Sequence, residues 1–172
     1  VPDEQAERVE RQVRELLAGT IGVLDAAGVR DEALAILRPS RGFSVFRTAE
    51  AMVPAGRAWR LGVLLLDRSG SLFATGSVTR AVEPGRVTNQ SPAAELRRAA
   101  RRTASRGPFA RGDVVNFGFV PLAVDAGSLR AGSGPLALVD GSVLVRWGGA
   151  DGQGVSTLDA YLADRVSLLT AD

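Results

Sequence analysis

The sequence predicts an α+β fold: a single domain with a mostly antiparallel sheet of about five strands and helices packed against it. Three observations lead there. Residues 59–80, WRLGVLLLDRSGSLFATGSVTR, hold two strand-like runs on either side of Asp67-Arg68-Ser69-Gly70. Both ends of the chain carry apolar residues at helical spacing. Asp140-Gly141 separates two short apolar runs, a strong hairpin signal because both residues tolerate positive φ.

The run from Trp59 is the centre of the fold. Leu61, Val63 and Leu65 share one face of it, and Leu64 and Leu66 make the other face apolar too. A strand apolar on both faces belongs inside a sheet that helices cover on at least one side.

In chain order, the first element is a helix. Pro2 suits a first-turn position, and Asp3 and Glu4 favour the positive end of the dipole. Val9, Val13, Leu16, Leu17, Thr20 and Leu24 fall on one stripe, with Glu7–Arg11 and Glu10–Arg14 as i,i+4 pairs on the wet side. Gly28 stops it, and a short helix over Asp31–Leu37 is predicted to end at Pro39. Phe43, Val45 and Phe46 offer a further short strand, with Arg41, Arg47 and Arg57 around it. Pro54-Ala55-Gly56 then turns the chain toward Trp59.

After the hairpin, Glu83-Pro84-Gly85-Arg86 makes a turn. Ser91 followed by Pro92 starts a helix that runs to about Ala104. It carries Arg97, Arg98, Arg101 and Arg102 over an arc of about 140°, which leaves Leu96, Ala99, Ala100 and Thr103 to face the sheet. Val114–Val120 is the next strand, with Asn116 interrupting its apolar pattern. A Gly/Ser-containing loop leads to the hairpin Leu136–Val139 and Ser142–Trp147. The last helix starts at Ser156, with Leu158, Tyr161, Leu162, Val166 and Leu169 as its stripe. Arg165 projects from that stripe and needs a carboxylate or carbonyl partner. The order is therefore α-β-β-α-β-β-β-α.

A chain of 172 residues fits one domain, here a helical segment over residues 1–38 and a sheet-and-helix core over 53–170. No apolar run reaches the roughly 18 residues of a membrane span, and a cytoplasmic protein is the expectation. The chain begins at Val1, which leaves a removed targeting segment open. All 21 basic residues are arginine, and His and Cys are absent too. The pI near 10.2 reflects this lack of titrating groups, since the formal charge is only +2. The charge is segregated. Residues 1–40 carry 8 acids and 5 Arg, residues 41–111 carry 4 acids and 13 Arg, and residues 112–172 carry 7 acids and 3 Arg. That is either a basic binding surface or a basic centre over which acidic flanks fold back.

These absences exclude much chemistry. Without His or Lys there is no Ser-His-Asp triad, Ser-Lys pair or Schiff base. Without Cys there is no thiol nucleophile, disulfide or iron–sulfur ligation. Tight zinc or copper sites need imidazole or thiolate, and no acidic calcium loop occurs. Neither a cofactor nor a metal is expected.

Three constellations remain. Arg97, Arg98, Arg101 and Arg102 suit a small anionic ligand, phosphates or a partner's carboxylates, or else form a solvated face. Sequence-specific nucleic-acid recognition is not expected, because no reading motif surrounds them. Thr79, Arg80, Asn89, Gln90, Ser91 and Asn116 either converge on a small-ligand pocket or satisfy loop carbonyls. Gly148–Gly154 is a glycine-rich loop between a strand and a helix, a setting shared with phosphate loops, but without their Lys-Ser/Thr; a connector is the plainer reading.

The runs WRLGVLLLDRSGSLFATGSVTRAVEPGR, NQSPAAELRRAARR, VVNFGF, LVRW and LDAYLADRVSLL resemble a group of short actinobacterial proteins of unknown function, over about residues 53–170. Some proteins of that group are labelled glutaminase. The label sits badly with a chain that lacks the lysine of the Ser-x-x-Lys motif used by serine-type glutaminases. In topology the chain is similar to roadblock- and profilin-like platforms, which act through protein contacts, often as dimers; fold analogy does not establish function. The reading is a binding or assembly protein without catalytic chemistry, partnered by itself as a homodimer or by another protein. The alternatives are a small amidohydrolase using carboxylates and the Thr79/Asn89/Asn116 region, and an anion- or nucleotide-binding module using the arginine-rich helix.

Overall fold

The computed structural model describes residues 4–39, 50–85, 91–149 and 152–171. In chain order the described elements are α1 (Glu4–Ala26), β1 (Glu32–Arg38), β2 (Ala51–Leu61), β3 (Leu64–Asp67), β4 (Leu72–Ala74), β5 (Ser77–Arg80) and α2 (Pro92–Ser105). There follow β6 (Val114–Phe117), β7 (Val120–Pro121), α3 (Ala126–Ala131), β8 (Leu136–Val139), β9 (Ser142–Gly149), β10 (Gly152–Thr157) and α4 (Leu158–Thr170). The α+β class holds. The strand count and order do not: ten strands are described in place of five, and they include a parallel pair, β1 with β6.

The chain forms two compact units built from interleaved segments. Unit 1 takes Val1–Arg30, Trp59–Ala74 and Val120–Asp172, and unit 2 takes Asp31–Ala58 and Thr75–Phe119.

In unit 1, α1 buries Val9, Val13, Leu17, Thr20 and Leu24 of the predicted stripe, with Leu16 half-buried beside them. Thr20 satisfies its buried hydroxyl by donating to the Leu16 carbonyl, 2.9 Å away. The stripe packs on α3, α4 and β3. Leu64, Leu65 and Leu66 are fully buried, so both faces of β3 are covered as predicted. β3 and β4 form the Asp67–Gly70 hairpin, with Leu64 opposite Ala74 and Leu66 opposite Leu72. Asp67 closes its turn by accepting from the Ser69 and Ser71 N–H groups and the Ser69 hydroxyl. β7 adds beyond β4.

A separate three-stranded sheet runs β10-β9-β8. Its Asp140-Gly141 turn has φ of 48° and 80°, the double positive φ that the predicted two-residue hairpin requires. Trp59 donates from Nε1 to the Val29 carbonyl at 2.8 Å, and its ring lies under the Arg68 guanidinium. Arg165 meets Asp164 at 3.1 Å and stands over the Tyr161 ring, although its Nε is buried without a hydrogen-bond partner among the described residues.

In unit 2 the strands run β5-β6-β1-β2. One face carries Ala33, Ala35 and Val115, and α2 closes it with Ala100 and Ala104; Met52, Ala81, Phe109 and Phe117 complete this small core.

Several predicted elements are corrected. The predicted helix over residues 31–37 is instead strand β1, Glu32–Arg38. Its Ala and Leu favour a helix locally, but β2 and β6 offer backbone partners on both sides, and tertiary pairing outweighs propensity. Pro54-Ala55-Gly56 lies within β2 and is not a turn. Leu34 pairs with Gly56 and Ala35 with Pro54, so Ala55 is the extra residue of a β-bulge, where a strand tolerates proline. The first central run breaks at Gly62, φ 64°, into β2 and β3.

The second run breaks at Gly76 into β4 and β5. A Cβ at residue 76 would overlap the Phe117 and Gly118 carbonyls, so the chain bends there against bare backbone. The predicted 114–120 strand divides at Gly118, φ 66°. The loop before Leu136 contains α3, capped by Asp125 accepting from the Ser128 N–H at 2.9 Å. The glycine-rich segment pairs as a hairpin, Gly149 with Gly152, so α4 begins at Leu158, two residues later than predicted. The predicted strand near residue 45, with Arg41 and Arg47, lies outside the described residues.

Candidate functional site

Helix α2 starts as predicted, with the Ser91 side chain accepting from the Ala94 N–H at 3.3 Å and Pro92 in the first turn. Its face follows the prediction at Ala100 and Thr103 but not at Leu96 and Ala99. Leu96 is 73% exposed and Ala99 is exposed too, whereas Ala100 and Thr103 are half-buried and Ala104 is fully buried. The surface beneath is made of Ala33, Ala35, Ala81 and Val115. Close approach to so shallow a surface selects the methyl groups of Ala100 and Ala104 over a leucine.

The four arginines separate accordingly. Arg98 turns inward and donates from Nη2 to the Gly85 carbonyl at 2.9 Å, while its buried Nε has no partner among the described residues. Arg97, Arg101 and Arg102 stay exposed.

Of the polar set, Thr79 and Asn116 are not brought together. In the β5/β6 ladder Val78 lies opposite Asn116, Thr79 opposite Val115 and Arg80 opposite Val114. Alternation along a strand therefore puts Thr79 on the face away from Asn116. Asn116 is fully buried and donates from Nδ2 to Glu32 Oε2 at 2.7 Å and to the Ala33 carbonyl at 3.4 Å. It ties β6 to β1, and its partners are a carboxylate and a strand carbonyl rather than the loop carbonyls of the architectural alternative. Arg80 is exposed. Asn89 and Gln90 lie outside the described residues.

The acidic flanks do fold over part of the basic centre. Arg57 donates from Nε to Asp31 at 2.6 Å and reaches Asp113 at 3.4 Å, and Arg68 pairs with Asp25. The hydrogen bond to Asp31, more than any other contact, holds the Arg57 guanidinium above the ordinary arginine range. Arg57 is 43% exposed, so each pair contributes no more than about 1 kcal/mol.

One cleft was not foreseen. It has a volume of about 360 Å³ and lies in unit 1, where α1 meets the β8–β9 turn and the start of α4. Val9, Val13 and Leu158, all buried, belong to its apolar lining. Gln12, Ser142, Thr157 and Asp159 supply polar groups, all on exposed residues. Asp159 is the one charged lining residue. A hydrogen bond from the Thr157 hydroxyl, followed by one from the Ala160 N–H, holds its carboxyl below the usual carboxylate value. The cleft thus offers apolar surface beside a fixed negative charge. Its residues come from three stretches far apart in sequence, so no local pattern marks it.

Among the described residues no group of three or more acids could hold a metal ion. Comparison with protein-family models, with curated proteins and with solved structures finds no match.

Proposed function

We propose that this chain is a cytoplasmic binding protein without covalent chemistry of its own, and that it acts through the cleft of unit 1. The observation that carries this reading is the lining: an apolar surface with four polar side chains, in about 360 Å³, within the range of small-ligand sites. Asp159, kept ionised, favours a ligand that pairs an aliphatic group with an ammonium or other donor. A general acid–base mechanism wants a group with a pKa near the working pH, and a carboxylate shifted downward is the opposite. No helix of the described residues is long and apolar enough to cross a membrane.

The test is a ligand-detected NMR screen of small aliphatic amines, alkanes and carboxylates against the whole chain, repeated with Ser142→Trp. Residue 142 is exposed, so the indole fills the cleft mouth while the fold survives. Aliphatic amines should bind the parent protein and not the variant. Binding that ignores the substitution, or release of ammonia from glutamine by the purified chain, overturns the reading.

A further inference from the structure

The near-neutral total charge hides a division between the two units. Unit 2 carries 12 Arg against 6 acids, a net +6, and unit 1 carries 9 Arg against 13 acids, a net −4. We propose that the exposed arginine face of α2 binds the phosphate backbone of a nucleic acid without reading its sequence.

Arg97 and Arg101 stand one helical turn apart, about 6 Å along the axis and about 40° around it, with Arg102 beside them. All three are exposed. The acids that fold over the basic centre are engaged elsewhere, Asp31 and Asp113 on Arg57 and Asp25 on Arg68. None of the three helix arginines has an ion pair among the described residues. Arg106 and Arg111, just past the helix, are exposed as well. Planar guanidinium forks match phosphate oxygens in pairs, and a repeating phosphate chain engages several of them at once.

The same face argues against two other occupants. A helix seated on lipid buries an apolar side, but the apolar side of α2 is already packed on unit 2's sheet through Ala100 and Ala104. A protein interface is built on aromatic or aliphatic anchors at its centre, and Leu96 is the one large apolar side chain that α2 exposes.

Fluorescence anisotropy with a labelled DNA duplex of about 20 base pairs, titrated with the full chain at several salt concentrations, tests this. Binding should be saturable at low salt, equal for a scrambled duplex, and lost with a log–log salt slope of about −2 to −3. Arg97→Gln/Arg101→Gln should weaken it about tenfold or more and flatten the slope by about 2. Arg146→Gln, exposed in unit 1, should change nothing. Three results overturn the proposal: no binding at low salt; equal affinity in the double variant with its circular dichroism unchanged; or tighter binding to phosphatidylserine vesicles or polyglutamate than to DNA. Because the cleft lies in unit 1, either site can fail without affecting the test of the other.

Discussion

Asn116 Nδ2 lies 2.7 Å from Glu32 Oε2, joining the centre of β6 to the start of β1 across their parallel ladder. A fully buried amide in an otherwise apolar strand is tolerated because its donors are used. Asn116→Ala leaves the buried Ala33 carbonyl without this donor and should cost about 1–3 kcal/mol in urea unfolding. Asn116→Asp sets a second carboxylate against Glu32 and should cost more above neutral pH than in acid. Equal stability of Asn116→Ala and the parent would show that the contact holds nothing together.

Tyr161 staples the turn at Gly62 from both sides. Its hydroxyl donates to the Leu61 carbonyl at 3.0 Å and accepts from the Val63 N–H at 2.9 Å. Tyr161→Phe should lose about 1–3 kcal/mol. Gly62→Ala meets both a φ of 64° and the tyrosine hydroxyl, which a Cβ would overlap. In the Tyr161→Phe background its cost should fall, so a double-mutant cycle should show coupling of at least about 0.5 kcal/mol.

The orientation of α2 has its own check. Leu96→Ser, at a 73% exposed position, should shift stability by no more than about 0.5 kcal/mol. Ala104→Leu forces three extra heavy atoms into a fully buried contact and should destabilise by about 1–3 kcal/mol. The reverse ranking in thermal unfolding would restore the face predicted from sequence.

Two carboxylates at helix starts, Asp125 capping α3 and Asp159 in the first turn of α4, set a pH dependence. Hydrogen bonds from Thr157 to Asp159, and from Ser128 to Asp125, favour the ionised form and lower both values. A lowered folded-state pKa means stability that is present above the unfolded value, about 3.9, and lost as pH falls through the folded value. Carbon-detected NMR titration should therefore place both carboxyls below that unfolded value. Thr157→Ala should raise Asp159 and leave Asp125 alone; Ser128→Ala should do the converse. Both groups are almost wholly exposed, so the shifts should be visible in the titration and barely in the melting temperature.

Much of the local structure was legible in the residues. The α1 stripe, the Asp67–Gly70 and Asp140-Gly141 turns and the Ser91-Pro92 start of α2 each depend on interactions within a few residues, and each was found. So was the need of Asn116 for a partner, because a buried amide requires one wherever it sits. The arginine spacing of α2 was visible too, but not which of them would turn inward.

The remainder had no local cause. Residues 32–38 are a strand because β2 and β6 flank them. Gly62, Gly76 and Gly118 break strands because a hydroxyl approaches one, bare carbonyls approach another, and positive φ bends the third. The cleft exists because residues 9–16, 141–143 and 157–159 meet. Short-range hydrogen bonding and apolar periodicity are properties of the chain as written. Strand partners, helix rotation and cavities arise where distant segments compete for the same space, and that competition was settled by packing.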